Sequence, residues 1–88
     1  MIVKIDRRFE KDTNEINDKE LLEKIAQVIE DVQKCNHLRE IRNLKKMKFG
    51  THYYRIRLGN YRMGITIIEN QVTFIRFLHR KEIYKYFP

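Results

Sequence analysis

Hydrophobic positions change their period along this chain, and each change marks a new element. Ile2, Val3 and Ile5 open the chain as a short apolar run, read as a strand over Ile2–Asp6. Arg8 to Ile16 carries only Phe9 and Ile16 for burial and reads as a short, thinly apolar helix. Leu21, Leu22, Ile25, Ala26, Ile29, Val32 and Cys35 then recur at helical spacing, which predicts an amphipathic helix to about Asn36. Asn17, with Glu20 three residues on, predicts a capping box at its start. Leu38, Ile41, Leu44 and Met47 follow at three-residue intervals, which predicts a turn of helix or an irregular packed segment ending at Gly50.

Beyond Gly50 the period shortens to two. Tyr53–Leu58 and Tyr61–Ile68 flank Gly59-Asn60, the pattern of a two-residue hairpin. Leu58 then faces Tyr61, and Arg57 faces Arg62. Side chains alternate faces along a strand, so Arg55, Arg57 and Arg62 share one face. Tyr54, Ile56, Leu58, Tyr61, Met63 and Ile65 share the other. Gln71–His79 follows Glu69-Asn70; a second two-residue turn sets Ile65 opposite Phe74 and Arg62 opposite Phe77. That register puts His79 on the arginine face and Arg76 on the apolar one, as a rim or structural residue. A one-residue slip would move His79 to the other face. Arg80 and Tyr84 follow closely enough to curl back toward the arginines. The expected fold is α+β: a small antiparallel sheet of about four strands, with one or two N-terminal helices on one face. Residues 1–88 form a single domain.

Charge gives the arginine face a meaning. Nineteen Lys and Arg against twelve Asp and Glu leave +7 on 88 residues, a balance that favours polyanionic partners. Arg opposite Arg costs stability, so a pair kept there points to a bound anion, with phosphate the leading candidate. Lys45, Lys46 and Lys48 add charge suited to RNA backbone contacts. The single Cys35 rules out an internal disulfide and fits a reducing compartment. No apolar run approaches the roughly 20 residues of a membrane span, and the start lacks a signal-peptide layout, so the expected location is cytoplasmic.

Several common catalytic signatures are missing. There is no Gly-rich phosphate loop, His-Glu-x-x-His, Cys-x-x-Cys or Gly-x-Ser-x-Gly. His37, His52 and His79 lie far apart without evident carboxylate partners, so neither a metal nor a cofactor is expected, and His37 and His52 read as surface residues. The remaining groups suit phosphodiester cleavage in RNA, whose 2′-hydroxyl is a built-in nucleophile. Arginines would stabilise the developing charge, and a His or Tyr would move protons. The candidates are Arg55, Arg57, Arg62, Arg80, His79 and Tyr84.

The same residues carry a family resemblance. Leu44-Lys45-Lys46-Met47, Tyr54-Arg55-Ile56-Arg57-Leu58-Gly59-Asn60-Tyr61-Arg62 and His79-Arg80-Lys81-Glu82-Ile83-Tyr84 resemble the RelE/ParE superfamily of toxins from type II toxin–antitoxin systems. The resemblance implies a small antiparallel sheet packed on helices. It implies a ribosome-dependent endonuclease cutting mRNA, if the chain follows the RelE branch, or a non-catalytic inhibitor of DNA gyrase, if it follows ParE. A decayed toxin that only binds its antitoxin is a third possibility. By position it assigns Arg62, Arg80 and Tyr84 to catalysis, with His79 as an alternative proton carrier, and Arg55 and Arg57 to neighbouring phosphates. Arginines stand at the first two positions, where lysines are common; they bind phosphate well but donate protons poorly. The implied partners are mRNA on the ribosome and a small, partly acidic antitoxin, for which Tyr84, Tyr86 and Phe87 are candidate contacts.

Overall fold

The computed structural model describes residues 1–88. Strand β1 (Ile2–Ile5) leads to helices α1 (Arg7–Asn14) and α2 (Lys19–Lys34) and a single 3-10 turn (Leu38–Glu40). Strands β2 (Leu44–Lys46), β3 (Tyr53–Leu58), β4 (Tyr61–Ile68) and β5 (Gln71–His79) follow, then a short helix α3 (Ile83–Tyr86). One sheet runs β1-β5-β4-β3-β2; β1 lies parallel to β5 and every other pairing is antiparallel. The α+β architecture is as expected, with five strands instead of four.

Local chemistry sets the helix starts. Asp6 caps α1, accepting the Arg8 N–H at 2.8 Å. The Arg8 side chain also bonds that carboxylate, which holds Asp6 below the usual carboxylate range. Asp18, not Asn17, caps α2, accepting from the N–H groups of Glu20 at 3.0 Å and Leu21 at 3.2 Å. Each such cap stabilises its helix by about 1 kcal/mol. The segment after the 3-10 turn also departs from expectation. The 3-10 turn ends at Ile41, which is already extended, and Asn43 then takes a left-handed φ of 62° that redirects the chain. Leu44, Lys45 and Lys46 then pair with Ile56, Arg55 and Tyr54 as a strand.

The first hairpin has the expected register: Gly59 turns at φ 58°, with Leu58 opposite Tyr61 and Arg57 opposite Arg62. The second begins as expected, with Glu69 at φ 55° and Ile65 opposite Phe74. A bulge then intervenes. Gly64 pairs with Arg76, Arg62 with Leu78, and Tyr61 with His79. The reason lies in Phe9 of α1, which packs edge-on against both Phe74 (5.4 Å) and Phe77 (6.1 Å). Phe74 and Phe77 are three residues apart, so a regular strand would send them to opposite faces. One extra residue brings both under the helix. Asp12 secures the arrangement by accepting the Phe77 N–H at 2.9 Å and both Arg76 Nε (2.8 Å) and Nη2 (3.2 Å).

The sheet therefore has two apolar clusters. On the helix side Phe9, Ile25 and Val32 pack on Ile56, Met63, Ile65, Phe74 and Phe77. On the reverse side Met47, Ile75, Ile83 and Phe87 gather with Phe49, Tyr53 and Leu78. Gly64 makes that second cluster possible: a Cβ there would stand 2.7 Å from the Phe87 ring. The reverse cluster ties the C-terminal turn to the face that carries the arginines.

Candidate functional site

Four arginines and a tyrosine are gathered on the reverse face. Pairing places Lys45 beside Arg55, Arg55 opposite Gly64 and Arg57 opposite Arg62. Arg80 returns to the hairpin tip, where its N–H donates to the Asn60 carbonyl at 2.8 Å. Tyr84 rides on α3, whose buried Ile83 and Phe87 anchor it while Tyr84 stays 63% exposed. Lys45, Lys48, Arg55 and Tyr84 line one cleft of about 340 Å³.

The arginines are held by backbone, not by carboxylates. Arg62 Nη1 donates to the carbonyls of Gly59 (3.0 Å) and Tyr61 (2.8 Å). Arg55 Nη1 donates to the Asn43 carbonyl at 2.9 Å, which also accepts the Arg57 N–H at 3.1 Å. Arg55 Nε is buried without a partner. The ion pairs of this chain join Arg8 to Asp6, Lys24 to Glu20, Lys34 to Glu30 and Arg76 to Asp12. Acidic side chains therefore do not neutralise Arg55, Arg57, Arg62 or Arg80. Burial first, then Arg55 and Arg57, hold the Arg62 pKa below its ordinary value; Arg80 acts the same way and Tyr84 opposes them. A guanidinium stays charged at neutral pH, so this repulsion would be relieved by an anion bound among the arginines.

His79 falls outside this group. The bulge puts it opposite Tyr61, on the helix side, where the two rings meet edge-on at 5.7 Å. Its Nδ1 accepts the Lys81 N–H at 3.2 Å. The expectation that His79 shares the arginine face is thus corrected, as is the placing of Arg76. By register Arg76 stands opposite Gly64, on the arginine side of the sheet, but its guanidinium is occupied by Asp12. Lys46 also lines the cleft, yet its ammonium sits over the Tyr54 ring at 5.5 Å and donates to the Gly50 carbonyl at 3.3 Å. Of the three tail aromatics, Tyr84 and Tyr86 are exposed, whereas Phe87 is only 2% exposed and packs inside the domain.

His37 caps the 3-10 turn through Nδ1, and His52 is exposed. No group of three or more His, Cys, Asp or Glu is placed to hold a metal ion, and no helix is long and apolar enough to cross a membrane. Cys35 ends α2 half-buried, its thiol pKa pushed up chiefly by desolvation. Sequence reasoning missed Asp12, Asn43 and Gly64. Only Gly64 carried a signal, since a glycine inside a strand often marks a close approach.

This fold is that of a known class. The family model for the ParE toxin of type II toxin–antitoxin systems matches residues 3–84. The chain belongs to the RelE/ParE family of toxins of type II toxin–antitoxin systems. Toxin RelE3 of Methanocaldococcus jannaschii is 47% identical over 66 residues, 74% of this chain and 75% of that one. The toxin-like fold is also present in the RelB-RelE antitoxin-toxin complex from Methanococcus jannaschii, with a TM-score of 0.80, 39% identity, and coverage of 97% of this chain and 99% of that one. The YoeB dimer from Staphylococcus aureus shares the fold at a TM-score of 0.72 and 20% identity, over 90% of this chain and 95% of that one.

Proposed function

We propose that this chain is a RelE-branch toxin that cuts mRNA on the ribosome by attack of the RNA's own 2′-hydroxyl, without a metal. The observation that carries this reading is the set of four arginines, free of carboxylates, with exposed Tyr84 beside them. In the reaction a 2′-oxygen–phosphorus bond forms, the bond from phosphorus to the 5′-oxygen breaks, and charge builds on the phosphorane oxygens. Arg62 and Arg80 bind the scissile phosphate and stabilise that charge. Arg55 and Arg57 hold neighbouring phosphates and set the strand for in-line attack. Tyr84 carries the proton from the 2′-hydroxyl to the leaving 5′-oxygen, since it lines the cleft with Arg55 and His79 faces the other way. The products carry a 2′,3′-cyclic phosphate and a 5′-hydroxyl.

The partner follows from the relative solved as a RelB-RelE complex. By likeness, this chain is held in check by a small, partly acidic antitoxin, disordered alone and folding on contact. Tyr84 and Tyr86 supply exposed aromatic contacts for it; Phe87 is already committed to its own sheet. A second reading, a non-catalytic gyrase inhibitor, is favoured by the ParE description of the matching family. The identity to a RelE toxin and the arginine set support the first.

Primer extension on mRNA from translating ribosomes separates the two, with gyrase supercoiling assayed beside it. Codon-phased cuts with gyrase unaffected are expected. Intact mRNA with inhibited supercoiling would overturn the proposal, and neither effect would mark a toxin reduced to antitoxin binding.

A further inference from the structure

The cleft beside Arg55 has a composition that phosphate contacts alone do not explain. Lys45, Lys46, Lys48 and Arg55 bring positive charge to it, but Met47, Phe49 and Tyr84 form the rest of its wall. A surface that only tracked a phosphate chain would need no aromatic walls. At about 340 Å³ the cleft has the size of a small-molecule pocket. Two aromatic side chains next to cations are the elements with which single-stranded nucleic acid is held: bases stack and the backbone is neutralised.

Phe49 belongs to the reverse apolar cluster and also lines this cleft. Its ring is half-buried, tilted against Tyr53 at 5.7 Å and edge-on to Phe87 at 6.5 Å. Tyr53 and Phe87 meet edge-on at 5.6 Å, so the three rings brace one another. Gly50, directly after Phe49, holds a left-handed φ of 64°, and a Cβ there would stand 2.8 Å from the Tyr53 ring. Phe49 is therefore positioned from two sides while still lining the cleft.

We propose that this cleft is a nucleobase subsite: it takes one unpaired base of the RNA strand, stacked on Phe49, while Lys45, Lys48 and Arg55 hold the adjoining phosphates. This rests on the reading of the chain as an RNA-cutting toxin and adds to it the element that selects where along the strand the phosphates settle. Tyr84 is the wall shared with the arginine group, so a base seated on Phe49 sets the register of the neighbouring phosphate against Arg62. Stacking reads a flat ring and is tolerant of base identity, so the subsite discriminates a base from no base more than one base from another.

The test is binding, which is independent of cleavage. A labelled, non-cleavable 2′-O-methyl oligoribonucleotide and the same backbone with abasic positions are titrated with the full chain by fluorescence anisotropy. Wild type is expected to bind the base-bearing strand roughly tenfold more tightly than the abasic one, the scale of one lost stack. Phe49→Leu, which keeps an apolar side chain but not a flat ring, erases that preference; Phe49→Tyr retains it. Lys45→Ala weakens both strands alike. Thermal melts verify that each variant is folded. Equal affinity of wild type for the two strands, an unchanged preference in folded Phe49→Leu, or no binding to either strand would each overturn the subsite. Failure of the cleavage reading appears separately, as intact mRNA in primer extension.

Discussion

Arg62 and Arg76 show how two arginines in one sheet acquire different roles. Arg62 is gripped by the carbonyls of Gly59 and Tyr61 and crowded by Arg55 and Arg57, so its charge is available to an anion. Arg76 is closed off by the two oxygens of Asp12. Arg62→Ala is expected to lose at least about 100-fold in single-turnover cleavage, the usual cost of removing one preorganised charge donor, with little change in melting temperature. Arg76→Ala should cleave near the wild-type rate but lose about 2 kcal/mol of stability, the scale of charge-assisted hydrogen bonds left unmade. Kinetics and thermal melts on both variants check this; equal losses in rate would contradict the division of roles. The Arg57–Arg62 pair was legible because a Gly-Asn turn fixes its register locally. His79 was misplaced because its face depends on Phe9, more than sixty positions away in sequence. Only packing reveals that Phe74 and Phe77 must both meet that ring.

Among the elements, α3 depends most on its surroundings. It has four residues and no side-chain cap, so its position comes from Ile83 and Phe87, both almost fully buried. The seat for Phe87 is Gly64 of β4. Gly64→Ala is expected to displace that ring, cost about 1–3 kcal/mol as overpacking does, and lower the cleavage rate by unseating Tyr84. Phe87→Leu in the same background should recover part of both losses, because a smaller side chain admits the methyl group. Melts and rates for the single and double variants measure this coupling; simple additivity would show that the contact does not position Tyr84. Helix α2 was legible from its own apolar stripe, which decides helix over strand without outside help. Strand β2 was not. Its three residues follow three-residue spacing, and they become a strand because the chain is already extended at Ile41, turns at Asn43 and meets the free edge of β3.

At the scale of the whole molecule, an excess of seven positive charges is distributed unevenly. Salt bridges occupy the helices and the Asp12–Arg76 contact, while the reverse face of the sheet is left basic and furnished with exposed Tyr84. The architecture was readable in advance because helix-period and strand-period segments are cleanly separated in sequence. The shared face of Arg55, Arg57 and Arg62 was readable from the first hairpin, whereas the pairing of Arg76 with Asp12 and the side taken by His79 needed the fold. The central claim is that these groups act on a nucleophile supplied by RNA itself. The most direct test places a single 2′-deoxy substitution at the mapped cut in a ribosome-bound mRNA and measures cleavage there. The all-ribose message should be cut to a 2′,3′-cyclic phosphate and a 5′-hydroxyl, and the substituted message should remain intact at that position. Cleavage of the 2′-deoxy site at a comparable rate would contradict the account.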